Sequence, residues 1–321
     1  MRKESPLFWP AYIKGDTLLV LDETLIPKKL HYIKVKNTKD AVKVIGDMKT
    51  RAFGQFLVVL NAFLLEIQNT ADKKLVEVIK NTAKALNASR PTFPFSEVTS
   101  IIVGWAQKAA AQNLDVRSYV QKNIQGYLQG IRYRRLERVA KIAQVIKGGD
   151  CILTHCNVSG ELAMAAAICQ EQKKKIRFFA TETRPYFQGS KLTCWELQKM
   201  GAHVTLIADN AVGSLMAEGM VNKVIIGSDR SCANGDVANK IGSYQIAVLA
   251  REFAIPIFVL TQPSFKIKSG EAIPIEVRDP DELLIFEGRK IVPGKINAFY
   301  PGFDVVPNTL ITQPIAINAN A

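Results

Sequence analysis

The stretch Cys151-Ile152-Leu153-Thr154-His155-Cys156-Asn157-Val158-Ser159-Gly160-Glu161 decides the fold. A short apolar run gives way to a polar turn, and a helix-like segment, Glu161 to Gln172, begins at once. The unit then repeats. Ile176 to Ala180, Val204 to Ile207, Val224 to Ile226 and Ile257 to Leu260 are apolar runs of the length that buried strands need, with Lys191 to Met200, Ala211 to Glu218 and Asn239 to Phe253 as helices between them. Parallel strands joined by right-handed helical crossovers are the natural packing. Residues 148–321 therefore read as a Rossmann-like, doubly wound parallel sheet, and the chain as an α/β protein. No Gly-x-Gly-x-x-Gly follows any of these strands, so no dinucleotide cofactor is expected.

Ahead of Lys147-Gly148-Gly149-Asp150 the pattern is different. Thr17 to Leu21 and His31 to Val35 suggest a short strand pair, after which Ala41, Val42, Val44, Ile45 and Met48 recur at helix spacing. Leu75, Val78 and Ile79 do so again, and Tyr119 to Ile146 can form one long amphipathic helix. Phe56 to Ile67 is apolar nearly all round, which predicts a helix packed on every side. Residues 1–147 thus read as a smaller α+β, mainly helical domain. The tail after Pro314 is small and polar and is expected to fray.

At 321 residues, with 48% apolar and 22% charged side chains, the chain can bury a sizeable core and is far from the disordered class. Its 42 Lys and Arg against 29 Asp and Glu permit nucleic acid, an anionic surface or a phosphorylated metabolite as partner. The basic runs Arg132-Tyr133-Arg134-Arg135 and Lys173-Lys174-Lys175 read as solvated helix faces. No nucleic-acid-binding motif accompanies them, so a nucleic-acid partner is not expected. Five cysteines, an odd number with no Cys-x-x-Cys and no secretory segment, suggest free thiols in the cytoplasm. The greasiest stretch, Phe56 to Leu65, contains Asn61 and is shorter than the roughly 18 apolar residues of a membrane span. Three histidines without His-x-x-x-His do not make a zinc site, and Gly-x-Ser-x-Gly is absent.

Ligands of open parallel sheets bind beyond the carboxyl ends of the strands, so the residues after each apolar run are the candidates. The first strand leads into Thr154 to Gly160 and then a helix, a junction whose free amides suit an anion. Cys156 would stand beside that helix start, where the dipole favours thiolate, or would be a buried cysteine acting as a small hydrophobe. The second strand ends in Thr181-Glu182-Thr183-Arg184-Pro185, with Gln188-Gly189-Ser190 at another helix entrance. Arg184 offers a planar fork for phosphate, or an ion pair with Glu182. Asp229, in Gly227-Ser228-Asp229-Arg230, is expected to be poorly solvated at the end of a buried strand and so fit for acid/base work, or else to cap a loop. In Asn234 to Lys240, Asn-Gly marks a turn and Asn239-Lys240 are expected to begin a helix, their amide and ammonium groups gripping hydroxyls and phosphate. His155 is a neighbour of this site without an assigned role.

Thr-His-Cys-Asn at 154–157, Glu-Thr-Arg-Pro at 182–185, Gln-Gly at 188–189, Leu-Thr-x-Trp-Glu-Leu at 192–197, Gly-x-Asp-Arg at 227–230 and Asn-Gly-Asp-x-Ala-Asn-Lys-Ile-Gly at 234–242 follow one another in the chain. With Ile273 to Glu276, Arg278-Asp279-Pro280, Phe303-Asp304-Val305 and Leu21 to Pro27, they make it resemble the 5-methylthioribose-1-phosphate isomerase family over nearly its whole length. The wider superfamily includes ribose-1,5-bisphosphate isomerases and the regulatory subunits of the exchange factor for initiation factor 2. The resemblance implies an aldose–ketose isomerase of methionine salvage, a phosphorylated pentose as partner, and neither metal nor organic cofactor. It puts Cys156 and Asp229 on the catalytic positions and Arg51, Arg90, Gln188, Asn239 and Lys240, beside Arg184, on substrate-binding ones. It also implies a homodimer built through the second domain, for which the residues after 240 offer apolar surface in Tyr244, Val248 and Phe253.

The chain departs from the family in two places. Where the family has a small-residue loop, Arg-Gly-Ala-Pro-Ala-Ile-Gly, it reads Arg51-Ala52-Phe53-Gly54-Gln55-Phe56-Leu57, and Phe93-Pro94-Phe95 follows Arg90-Pro91-Thr92 in place of Ala-Val-Asn. Phe53 and Gln55 add bulk where small residues allow close approach. A sugar-phosphate or nucleotide-binding regulatory subunit without turnover is the competing reading; retention of Cys156 and Asp229 argues against it and the altered 51–57 loop for it.

Overall fold

A six-stranded parallel sheet and a helical unit with its own small sheet make up the computed structural model, which describes residues 4–91, 93, 95–262 and 266–317. Thr92, Pro94 and residues 318–321 of the tail lie outside the described residues. The chain packs as two units, one spanning Pro6–Arg134 and the other the remainder.

In the first unit β1 (Ala11–Lys14), β2 (Thr17–Leu21) and β3 (Tyr32–Val35) pair antiparallel in that order. The expected strand pair is thus a three-stranded meander. β1 is short and joins β2 through the two-residue turn Gly15-Asp16, with Gly15 at φ +64°, so its alternation is too brief to read. Helices α1 (Thr38–Gly46), α2 (Ala52–Asn69), α3 (Leu75–Ser89), α4 (Phe95–Ala111) and α5 (Val116–Val145) follow. α2 is the core helix. Leu57, Val59, Leu60, Phe63 and Leu65 are wholly buried, and the Asn61 amide donates to the Leu57 carbonyl at 2.8 Å, so its polarity costs the core little. Residues 52–57, expected as a loop, are the first turns of α2.

The second unit alternates β4 (Cys151–Thr154), α6 (Glu161–Glu171), β5 (Arg177–Thr181), α7 (Cys194–Lys199), β6 (His203–Ile207), α8 (Val212–Ala217) and β7 (Lys223–Ile226). After β7 come β8 (Arg230–Ser231), β9 (Val237–Lys240), α9 (Ser243–Glu252), β10 (Ile257–Thr261), α10 (Asp281–Leu284), the hairpin β11 (Ile285–Phe286) and β12 (Arg289–Lys290), β13 (Phe303–Val306) and β14 (Gln313–Ala316). The main sheet runs β14-β10-β7-β4-β5-β6 with every pairing parallel, the doubly wound α/β architecture. Two expectations fail. Asn239 and Lys240 end strand β9, held between β8 and β13, and α9 begins only at Ser243 after Gly242 at φ +103°. The tail does not fray at Pro314: β14 pairs along β10 and buries Ile315.

The pattern changes at Lys147–Asp150, where β4 is about to begin, but the division by packing falls inside α5, after Arg134. Arg135 and Arg138 explain why. Both are buried, and both grip the carboxylate of Glu161 in the first turn of α6, through Arg135 Nε at 2.6 Å, Arg138 Nε at 2.5 Å and Arg138 Nη2 at 2.7 Å. Arg135 Nη2 also donates to the Ser159 carbonyl and Arg138 Nη1 to that of Thr261, each at 2.8 Å. Farther along, Lys174 Nζ donates to the Ala143 and Ile146 carbonyls and Lys223 Nζ to that of Val145, cations at the carbonyl end of α5. Part of each basic run is therefore structural.

Burial alone would raise the Glu161 pKa, but the two guanidiniums outweigh it and hold the carboxyl below its usual value. Glu161→Gln should leave two buried cations uncompensated and cost about 3–5 kcal/mol in urea unfolding at neutral pH. Because the folded pKa lies below the unfolded one, Glu161 contributes fully above about pH 4.3 and loses its contribution as the pH falls through the folded value. The gap between wild type and variant should narrow in acid; a gap that is small or independent of pH would refute this role.

Candidate active site

The chain passes from β4 to β5 and β6 on one side, then returns to place β7, β10 and β14 on the other. That reversal makes the carboxyl ends of β4 and β7 the switch point of the sheet, where the crossovers part and a crevice opens. Cys156 stands two residues beyond β4 and Asp229 three beyond β7. Their loops touch. A Cβ on Gly227 would lie 3.0 Å from Val158 Cγ1 and 3.9 Å from Asn239 Oδ1, so the absence of a side chain there lets the β4 loop, the β7 loop and β9 close on one another.

The loop carrying Cys156 is held in an unusual form. Cys156, Ser159 and Gly160 have φ of 61°, 52° and 85°. Such conformations in non-glycine residues persist only where neighbours over-determine them. Here the Cys156 amide donates to Thr183 Oγ1 at 3.0 Å, and Thr193 Oγ1 donates to the Cys156 carbonyl at 2.5 Å. Asn157 Nδ2 donates to Thr193 Oγ1 and Glu196 Oε1 while its Oδ1 accepts from the Ser159 amide. Beneath lies His155, Nε2 at 2.8 Å from the Ile241 carbonyl and Nδ1 at 2.6 Å from Thr181 Oγ1. A carbonyl only accepts, so Nε2 carries the hydrogen and Nδ1 accepts from the Thr181 hydroxyl. Burial pushes the His155 pKa below its usual value, which keeps the ring neutral in that tautomer. Cys156 precedes the Gly160 N-cap of α6 by four residues, so these side chains hold it in place of the first turn of α6.

The other expected residues gather at the same sheet edge. The loop after β5 is gripped by Asp209, whose two carboxylate oxygens accept from the Thr183 and Arg184 amides at 2.7 and 2.8 Å. Arg184 lies over the rings of Phe187 and Phe286. Gln188 precedes the π-turn Gly189–Thr193, and a Cβ on Gly189 would come within 1.7 Å of the Thr181 carbonyl oxygen, so glycine is required there. On β9, Asn239 and Lys240 are buried. Asn239 Nδ2 donates to Ser243 Oγ, and Lys240 Nζ lies 4.6 Å from the Phe303 ring centroid and 5.6 Å from that of Tyr186. Asp229 corrects an expectation: Gly227 and Ser228 carry the chain outward before it, and its side chain is exposed.

Four residues of this edge carried no role in the sequence reading. Tyr186 accepts from Arg278 Nη2 at 2.5 Å, and Arg278 is also bound by Glu276 and Glu282. Burial, opposed by four backbone N–H contacts including that of Gly242, raises the Asp304 carboxyl to about 6. Tyr300 packs on Tyr186 with ring centroids 6.4 Å apart. Arg278 and Asp304 sit in segments that carry the family resemblance; Tyr186 and Tyr300 have no spacing that marks them.

Arg51 and Arg90 belong to the Pro6–Arg134 unit and form one network there. Glu23 accepts from Arg51 Nε at 2.6 Å and from Thr50 Oγ1, and Gln55 donates to the Thr50 carbonyl while accepting from Arg90 Nη1 at 2.8 Å. Gln55, one of the residues that depart from the family pattern, thus helps orient Arg90. Gly54 stands where the family has proline, and even a Cβ there would meet Thr50 Oγ1 at 1.8 Å.

Comparison with known proteins agrees with this architecture. The chain is 38% identical to the methylthioribose-1-phosphate isomerase of Thermosipho africanus and 36% identical to that of Desulforudis audaxviator, matching 94% and 95% of this chain and 91% of each relative. The solved 5-methylthioribose 1-phosphate isomerase of Pyrococcus horikoshii superposes with a TM-score of 0.85 at 26% identity, over 98% of this chain and 93% of that one. Translation initiation factor eIF-2B subunit delta from A. fulgidus superposes with a TM-score of 0.83 at 31% identity, over 96% and 94%. The pattern of the initiation factor 2 subunit family matches residues 47–316, and the chain belongs to that family.

Proposed function

We propose that this chain is a cytoplasmic aldose–ketose isomerase converting 5-methylthioribose 1-phosphate to 5-methylthioribulose 1-phosphate, the methionine-salvage reaction, with Cys156 and Asp229 as its acid/base pair. The observation that carries the reading is the meeting of the two loops that bear them at the switch point of the sheet. The names of the curated relatives support it, and five free cysteines fit a reducing compartment.

The chemistry asks for such a pair. The anomeric phosphate blocks spontaneous ring opening, so the bond from C1 to the ring oxygen must break as that oxygen gains a proton. A hydrogen then moves from C2 to C1, and the C2 hydroxyl loses its proton as the ketone forms. One group that donates and one that accepts balance these transfers, whether the C2 hydrogen travels as proton or hydride. Lys240 and Arg184 supply positive charge for the phosphate. The A. fulgidus subunit favours a second reading, a regulatory protein that binds sugar phosphate or nucleotide without turnover. Retention of both Cys156 and Asp229 speaks for the enzyme.

The assembly we propose is a homodimer through the second unit, using Tyr244 and Phe253 of the α9 region, 47% and 39% exposed. Val248, named with them above, packs partly into the core. Light scattering should give twice the 35.5 kDa chain mass; the monomer mass at micromolar concentration would count against it. Cys156→Ser and Asp229→Asn should each keep the melting temperature and its rise with ligand, yet lower turnover by ~10²–10⁴. Turnover within a few fold of wild type in both would remove the pair from the mechanism. Arg184→Ala and Lys240→Ala should chiefly raise KM, the signature of losing uniform phosphate binding, and a pure loss of kcat would contradict that assignment.

A further inference from the structure

Among the described residues, four buried side-chain polar atoms have no hydrogen-bond partner: Thr154 Oγ1, Gln188 Oε1, Tyr300 OH and Asp304 Oδ1. They are not scattered. Thr154 ends β4 two residues before Cys156, Gln188 lies in the loop after β5, and Asp304 pairs with Asn239 across β13 and β9. Buried polar atoms are almost always satisfied within a fold, so orphans gathered on one sheet edge point to a polar ligand there.

Tyr300 is the most telling of the four. It is 3% exposed, and phenylalanine would fill the same space without burying an unpaired hydroxyl. Its position is fixed by the 2.8 Å bond from the Arg278 amide to its carbonyl, by the bridge between Val277 and Pro301, and by the Tyr186 ring. Burial, then Tyr186, Glu282 and the nearby Cys156, keep the hydroxyl protonated through the physiological range, which leaves it a donor. We propose that Tyr300 is a further substrate contact, its hydroxyl donating a hydrogen bond to a hydroxyl or the ring oxygen of the pentose phosphate beside Cys156. The inference rests on the isomerase reading and adds to it a residue that recognises the sugar as distinct from its phosphate.

Tyr300→Phe removes one oxygen and nothing else. The melting temperature should stay or rise, while kcat/KM for 5-methylthioribose 1-phosphate falls roughly ten- to a hundred-fold. A hydroxyl kept for folding would do the reverse, lowering the melting temperature and sparing turnover, and either of those results overturns the proposal. Turnover of the variant within about two-fold of an active wild type would remove Tyr300 from the site and leave the isomerase reading standing. Should the wild type not turn this sugar over, the isomerase reading fails by itself. Tyr300 is then judged by the thermal shift that 5-methylthioribose 1-phosphate induces: a shift lost in the variant supports the contact, and an equal shift, or none with wild type, overturns it.

Discussion

One buried carboxylate organises the sheet edge on which the proposed chemistry stands. Glu161 opens α6, and its two oxygens take three N–H bonds from Arg135 and Arg138 of α5. Through Ser159 and Thr261 the same arginines hold the end of the Cys156 loop and the end of β10. A buried ion cluster of this kind adds little net stability compared with apolar packing, because desolvation offsets most of the attraction. Its value lies in geometry: with N–H groups of both guanidiniums aimed at the Glu161, Ser159 and Thr261 oxygens, α5, α6 and the loop between β4 and α6 have few alternative ways to pack.

Above that base, a second layer fixes Cys156 itself. Bonds run from the Ile241 carbonyl through His155 to Thr181, whose hydroxyl lies 3.3 Å from that of Thr183, and Thr183 accepts from the Cys156 amide. His155, Thr181, Thr183 and Cys156 are buried and the histidine is neutral, so the chain has one consistent direction and does not change with pH near neutrality. The left-handed backbone of Cys156 is held by this layer. In contrast, Thr154, Gln188, Tyr300 and Asp304 keep buried polar atoms unpaired at the same edge. Among the described residues, the other buried side-chain polar atoms have partners, and leaving these four open gives up stability at the place where a polar substrate would restore it.

Much of this was legible in residue order. Short apolar runs alternating with helix-like segments give the doubly wound sheet, because a strand buried on both faces needs continuous apolar side chains. Cys156 and Asp229 stand after strands β4 and β7, where such sheets bind their ligands. What failed to show depends on partners distant in sequence. Asn239 and Lys240 are strand residues only because β8 and β13 pair with β9, and Gln313–Ala316 form a strand only because β10 offers them an edge. Arg135 looked like part of a solvated basic run until Glu161, far along the chain, gave it a reason to be buried. Gln55 looked like excess bulk, whereas it is the partner of Arg90. Tyr300 lies in an unpatterned segment, and its interest comes from a bond it does not make.

The central claim is that the wild-type chain rearranges an aldose phosphate without changing its composition. It is tested most directly by incubating the purified protein with 5-methylthioribose 1-phosphate labelled with deuterium at C2 and following the sugar by carbon and proton NMR. The account predicts a new ketone carbon at C2 with phosphate still on C1, the deuterium either retained at C1 or lost to water. An unchanged sugar, with a nucleotide bound tightly in its place, would contradict it and make the chain a regulatory binder.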